Sequence, residues 1–357
     1  MEQLFKVPIR NLFCMLSYIH ELPELVESMN EMDEDIITYD FIAKRFLQEV
    51  DRIKHRGVLK NYVSQIEPTS SLGGRVMMDE SIPYIISRKP VVVCEKDDYY
   101  SNIEENQLMK STLKAISKNR YVREETKKKS FMMLDLFPDI ETLDLTGAAL
   151  SRIKISRHNA YYKRMIHIAK MLHALTLLSH QEGSWSLFTA ELDNKALNHL
   201  FEKFLFHFYR LEQKEYKVAS ERFQWKLTGN QYLLPTMVTD ISLTNRNGKE
   251  KIIMDAKFYK HIFQEHFGKE SFHSHNLYQL FTYLMHQPKE LKLRGILIYP
   301  NKGKDVQESF VWDERITIEV MTLNLDSSWN EIDDCLMSVI ENEGTNSESQ
   351  KGDSISD

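Results

Sequence analysis

The chain has 357 residues, room for two domains of roughly 100 to 200 residues each, and with 42% hydrophobic and 11% aromatic residues both can bury a core. Charged residues make up 27% and the mean hydropathy is -0.43. No apolar run approaches the roughly 18 residues of a membrane helix, and MEQLFKVPIR lacks the apolar stretch of a secretory signal, so a cytoplasmic protein without membrane contact is expected. The net charge of -6 argues against a chain that grips DNA strongly by itself, because such binding draws on phosphate neutralisation.

In chain order, residues 12–19 and 41–50 read as helices, with Pro23 ending or interrupting the first. Residues 68–75 form a loop by composition, and the paired glycines 73 and 74 permit unusual backbone angles. Arg75 either presents its guanidinium to a partner or follows a tight turn into a strand at Val76. Residues 83–94 look like strand material. A helix is predicted over 104–118, with Met109, Leu113 and Ile116 on one side and Leu108 at its edge. Lysine and arginine cluster over 120–129 and 151–170. Arg152, Lys154, Arg157, His158, Lys163 and Arg164, interleaved with Tyr161 and Tyr162, either track phosphates or an acidic partner, or form a solvated face. An apolar helix follows over 165–178, and the seam between two domains is placed at residues 183–184.

Residues 194–211 are amphipathic at helical spacing, with Leu200, Phe201, Phe204, Leu205 and Phe208 in phase, and strand-like 216–227 follows. Then two short apolar runs, 237–243 and 252–256, flank Asn245-Arg246-Asn247-Gly248, a strong hairpin signal. If Asn247 and Gly248 are the two turn residues, Ile241 lies opposite Met254 and Asp240 opposite Asp255. Side chains alternate along a strand, so Asp240, Asp255 and Lys257 share one face while Ile241, Leu243, Ile252 and Met254 share the other. Directly opposed carboxylates repel unless a cation lies between them. Mg²⁺, held by one or two carboxylates with waters and phosphate oxygens, would answer that repulsion, and Mn²⁺ suits the same ligands. Lys257 would enter the same space, to orient or deprotonate a water and offset charge on a phosphorane-like transition state. Against this phosphodiesterase reading stands an ordinary solvent-facing charged hairpin.

A second helix, 276–286, brings Gln279 and Tyr283 onto one face, and apolar runs at 295–299 and 316–325 complete an αβββαβ order with one further strand. Glu202 on the first of these helices could reach a metal or simply lie at the surface. His273 and His275 read as capping or loop residues. The three cysteines, 14, 94 and 335, are odd in number and far apart, so neither a disulfide framework nor a C-x-x-C zinc site is suggested, and buried, inert thiols are expected. No G-x-x-x-x-G-K-[ST] occurs, so the chain itself is not expected to hydrolyse a nucleoside triphosphate through a P-loop. Residues 341–357 hold five acids and one lysine with almost no apolar side chains, and are expected to be disordered.

VTD, DAK and QLFTY resemble the D…(D/E)-x-K nuclease core with the Q-x-x-x-Y extension of RecB-like nucleases. Longer stretches, PIRNLFCMLSYI (8–19), GGRV (73–76), ENQLMKSTLKAI (105–116), LLPTMVTDI (233–241), IIMDAKFYK (252–260), FHSHNLYQL (272–280) and GILIYP (295–300), are similar to the McrC family, the nuclease subunits of McrBC modification-dependent restriction systems. The resemblance covers the chain to about residue 325. It implies an α/β (α+β) chain: an N-terminal mixed α/β adaptor domain, 1–184, that binds and stimulates a partner GTPase, and a PD-(D/E)xK endonuclease domain, 185–330. It also implies Asp240, Asp255 and Lys257 as the catalytic set, and Asp240, Asp255 and the Ala256 carbonyl as Mg²⁺ ligands. Gln279 and Tyr283 would contact DNA or order the site, and Arg75 is a candidate partner contact. The expected partners are an McrB-like AAA+ GTPase oligomer and double-stranded DNA carrying modified cytosine. A rival expectation is a GTPase-activating adaptor whose nuclease half is silent.

Overall fold

The structure is a computed structural model that describes residues 5–30, 38–181, 189–192, 194–225, 227–230, 232–257, 263–266, 269–301 and 305–341. Of the acidic tail only Glu341 is described, as the last residue of a helix; residues 342–357 and the expected seam at 183–184 lie outside the described residues. The chain forms two compact units, residues 38–177 and residues 1–37 with 178–357. The two ends of the chain therefore build one unit, whereas the sequence reading kept residues 1–37 with the N-terminal domain.

The reason lies in the first helix, Ile9–Ile19, nine of whose eleven residues are buried. Such a helix needs apolar partners almost all round, and it finds them on the Asn194–Glu212 helix and near the chain's far end. Tyr18 stacks on Trp329 at 5.7 Å and packs against Phe204 and Phe208. The Asn11 amide donates to the carbonyls of Leu325 and Ser327 at 2.9 and 2.8 Å. Pro23 opens the following helix, Pro23–Asn30, where its missing N–H costs nothing.

The centre of this unit is a six-stranded mixed sheet in the order Gln307–Val311, Ile316–Asn324, Lys292–Asn301, Glu250–Ala256, Ile241–Asn245, Tyr216–Ala219. Its middle three strands are parallel and the outer pairings antiparallel. The strands from 250 and 292 are joined through the helix Ser274–Met285, as a parallel pair requires a crossover. That helix covers one face, packing Leu280, Tyr283 and Leu284 onto Ile253, Leu293, Leu297 and Tyr299. Gly295 lies under it. A Cβ there would meet Leu284 Cδ1 at 2.6 Å. The Asn194–Glu212 helix packs on the strands Glu250–Ala256 and Tyr216–Ala219. The helix Trp329–Glu341 is tied down by Arg294, which forks onto Glu319 at 2.8 and 3.0 Å and donates to the Val339 carbonyl at 2.9 Å. Neither this helix nor the edge strand Gln307–Val311 was anticipated from the sequence.

Unit 38–177 is mainly helical. The predicted helix appears as Glu104–Lys118, with Leu108, Met109, Leu113 and Ile116 fully buried. Asn106 closes a buried network: its amide donates to the carbonyls of Leu59 and Ser101, and its oxygen accepts from Tyr162. Tyr162 is thus a core residue and not a member of a surface stripe. One expectation fails. Residues 83–86, read as strand, close the helix Met78–Ile86, and the strand begins at Val92. Asp79 and Glu80 favour the positive end of that helix, and Pro83 forgoes one hydrogen bond there. The glycine pair does act as a turn: Gly74 has φ +73°, and a Cβ would strike the Glu95 carbonyl oxygen at 2.1 Å.

Candidate active site

The predicted hairpin forms with the predicted register. Ile241 pairs with Met254 and Leu243 with Ile252. Its loop is wider than a two-residue turn. The strands stop at Asn245 and restart at Glu250, the Gly248 amide donates to the Asn245 carbonyl at 2.8 Å, and Gly248 alone of the turn residues takes a positive φ, +69°. Asn245 and Asn247 side chains accept from the amides two residues on. Widening the loop by one residue on each side leaves its centre in place, so the register is unchanged.

At the far end of this ladder Asp240 sits at the bend entering its strand, opposite Asp255. The Ala256 amide donates to Asp240 Oδ2 at 3.1 Å. Thr239 fixes the bend: it exchanges backbone and hydroxyl hydrogen bonds with Glu221, accepts from Ser220 at its carbonyl, and its hydroxyl meets Ser242 at 2.9 Å. Asp255 shares the face of Ile253, beneath the Ser274–Met285 helix, and is 0% exposed. Lys257 Nζ stands 3.1 Å from Asp255 Oδ2 with 20% of its side chain exposed, so the group opens to solvent on the lysine's side.

Neither oxygen of Asp255 accepts a hydrogen bond; Lys257 pairs with it by charge, outside hydrogen-bond geometry. Buried carboxylates are ordinarily hydrogen-bonded. Burial, and then the charge of Asp240, push the Asp255 carboxyl to about 7. Burial likewise raises Asp240. Glu202 on the Asn194–Glu212 helix is raised by burial and by Asp240, so it belongs to the same electrostatic cluster. Burial would lower Lys257, but Asp255 and Asp240 outweigh it and hold the ammonium above the usual lysine value. Three acids and one cation thus share a partly dry space, a charge balance that favours a bound cation. Two facing carboxylates, one without donors, fit a hard divalent ion such as Mg²⁺. Among the described residues no group of three or more His, Cys, Asp or Glu side chains converges at metal-ligand distance.

The Gln279 amide donates to the Tyr283 hydroxyl at 2.7 Å. Burial raises the Tyr283 phenol, and the charges of Asp255 and Asp240 add to it, which places the phenol beside the carboxylates. His273 is the N-cap of that helix, and its side chain makes no capping hydrogen bond. Arg75 lies in the other unit, with 79% of its side chain exposed and Glu95 at 3.9 Å. Two members of the basic run in that unit form ion pairs, Arg152 with Glu104 and Arg164 with Glu49. His158 meets Asn61, and Lys170 donates to the Ile153 carbonyl. The sequence reading missed a part-buried pair below the site, buried Lys251 with Glu221 at 2.5 Å. Alternation along the strand is the only signal that marks Lys251 as inward-facing.

The family model described as McrBC 5-methylcytosine restriction system component matches residues 5–300. This chain belongs to that family. It is 27% identical over 330 residues to the type IV methyl-directed restriction enzyme EcoKMcrBC of Escherichia coli K12, covering 90% of this chain and 94% of that relative. Solved structures similar to it include a refined half-complex from the tetradecameric assembly of Thermococcus gammatolerans McrB AAA+ hexamers with bound McrC. That match has 15% identity and a TM-score of 0.46, and covers 85% of this chain and 67% of that one. A second is the McrBC complex of the same organism, with 17% identity, a TM-score of 0.40, and 58% and 60% coverage. Among the described residues of this McrBC family member no helix is long and apolar enough to cross a membrane.

Proposed function

We propose that this McrBC family member is the DNA-cleaving subunit of a restriction complex directed at modified cytosine, hydrolysing phosphodiesters with Mg²⁺ (or Mn²⁺) on a PD-(D/E)xK nuclease core. The observation that carries the reading is the Asp255 carboxylate, wholly buried and without a hydrogen bond, beside Asp240 and Lys257. Asp240 and Asp255 would hold the metal. The Ala256 carbonyl joins them, because its N–H points to Asp240 and the N–H and C=O of a strand residue face the same side. Mg²⁺ bound there supplies a Lewis acid for a phosphate oxygen and its attacking water. Lys257, kept protonated by the two acids, hydrogen-bonds that water or a non-bridging oxygen and offsets the charge that develops on it. Tyr283, its hydroxyl fixed by Gln279, orders the same pocket toward the DNA backbone.

Family membership supports a partner of the McrB type, an AAA+ GTPase oligomer that recognises modified DNA. Stimulation of its GTPase is assigned to the unit of residues 38–177, where exposed Arg75 is a candidate contact, and cleavage to the unit that holds the candidate site, residues 1–37 with 178–357. The test is cleavage of methylated and unmethylated plasmid with Mg²⁺, with and without the GTPase partner and GTP, beside Lys257→Ala. Methylation- and GTP-dependent cutting that the variant loses is the expected result. Equal inactivity of both proteins, with GTP turnover still stimulated, would leave a non-catalytic adaptor instead.

A further inference from the structure

Lys251 is a buried cation that the proposed chemistry does not use. It is 7% exposed, and its ammonium donates to Glu221 Oε2 at 2.5 Å and to Gln287 Oε1 at 2.9 Å. It lies on the face of Asp255 but four residues earlier, about 13 Å away at strand rise, too far to touch the carboxylate.

Each of its two partners leads to a different part of the site. The Glu221 amide donates to the Thr239 hydroxyl, and its carbonyl accepts from the Thr239 amide, both at 3.0 Å. Thr239 directly precedes Asp240. On the other arm the Gln287 amide donates to the Tyr283 carbonyl at 3.1 Å, and Tyr283 carries the hydroxyl that Gln279 holds. One ammonium therefore joins the bend bearing Asp240 to the helix bearing Tyr283, from the strand that bears Asp255. A well-packed apolar residue of similar size would serve stability at this buried position as well as a cation does, whereas only a donor of several hydrogen bonds fixes two polar arms at set distances.

We infer that Lys251 is a positioning residue of the candidate active site, setting the separation of Asp240, Asp255 and Tyr283 through Glu221 and Gln287. The inference rests on the nuclease reading of that site.

The test uses the full-length protein and the variants Lys251→Met, Lys251→Arg, Glu221→Gln and Gln287→Leu. Metal-free samples are titrated with Mg²⁺ and followed by thermal unfolding. The same samples are assayed for plasmid cleavage with the GTPase partner and GTP, separating kcat from the KM for DNA. In Lys251→Met the Mg²⁺ needed for half the stabilisation rises at least tenfold, and kcat falls at least tenfold with KM for DNA unchanged. Lys251→Arg recovers part of both. Gln287→Leu lowers kcat but keeps the wild-type Mg²⁺ curve, since the Asp240 arm is intact, while Glu221→Gln shifts the curve. A folded Lys251→Met with wild-type Mg²⁺ response and kcat overturns the inference. Should that variant not fold, wild-type behaviour of both Glu221→Gln and Gln287→Leu overturns it equally. A wild-type protein that neither responds to Mg²⁺ nor cuts would defeat the nuclease reading, and this inference with it.

Discussion

Two buried aspartates, one in each unit, meet burial in opposite ways. Asp40 is 4% exposed at the start of the Tyr39–Arg56 helix, where the Arg123 amide donates to it at 3.0 Å and Lys44 stands 3.0 Å away. Burial would raise its carboxyl, but interactions with Thr126, the Arg123 amide and Lys44 overcome that and hold it below the usual range. Asp255 is 0% exposed, accepts no hydrogen bond and is pushed up to about 7 by burial and by Asp240. The first acid joins pieces of chain. The second accepts no hydrogen bond and has the Lys257 ammonium 3.1 Å away, an arrangement that suits the proposed role of a cation ligand.

The comparison breaks most visibly in activity. Asp255→Ala and Lys257→Ala should each lower DNA cleavage on the order of a thousandfold or more while leaving GTPase stimulation intact. Loss of both activities together would contradict the two-function division. Next comes the packing that holds the site. Gly295→Ala inserts a Cβ at 2.6 Å from Leu284 and should cost on the order of 1 to 3 kcal/mol, measurable by urea unfolding, with cleavage falling as the Ser274–Met285 helix shifts.

The two acids should then respond with opposite signs. Asp40→Asn should destabilise by on the order of 1 to 3 kcal/mol, and Asp255→Asn, which removes a carboxylate that burial and Asp240 disfavour, should stabilise the metal-free protein. Their pH dependence separates them as well. Asp255 has its folded pKa raised above the unfolded value of about 4. The native state therefore binds the extra proton, and metal-free stability falls as pH rises from about 4 through about 7. Asp40 is lowered, so its contribution is complete above pH of about 4 and is lost as pH falls through its folded value. Unfolding midpoints across pH 3 to 8 for the two Asn variants check both slopes. The smallest effect belongs to Tyr283→Phe, about tenfold or less in kcat with stability near wild type; an unchanged kcat would remove the phenol from the site.

The parts of this architecture that were legible in the sequence share one property: their signal is local. The hairpin register follows from strand alternation and the position of its turn, and these two features suffice to group Asp240, Asp255 and Lys257. The Glu104–Lys118 helix announces itself by spacing alone. What was hidden depends on residues distant in the chain. Nothing near the Ile9–Ile19 helix signals that it packs beside Trp329. The width of the hairpin loop was misjudged because a symmetric loop hides its own length. Residues 83–86 carry strand-like apolar side chains, yet they close a helix that leaves Ile85 and Ile86 exposed. Glu202 joins the cluster only because its helix packs behind the sheet, and Lys251 gains meaning only with Glu221 and Gln287 in place.

The most direct measurement is thermal unfolding of wild type, Asp255→Asn and Asp40→Asn, metal-free and then in millimolar Mg²⁺. Asp255 as a cation ligand predicts that Mg²⁺ raises the wild-type and Asp40→Asn midpoints by similar amounts. It also predicts that Asp255→Asn starts above metal-free wild type and does not respond. An Asp255→Asn protein that begins lower and gains as much from Mg²⁺ as wild type would contradict it.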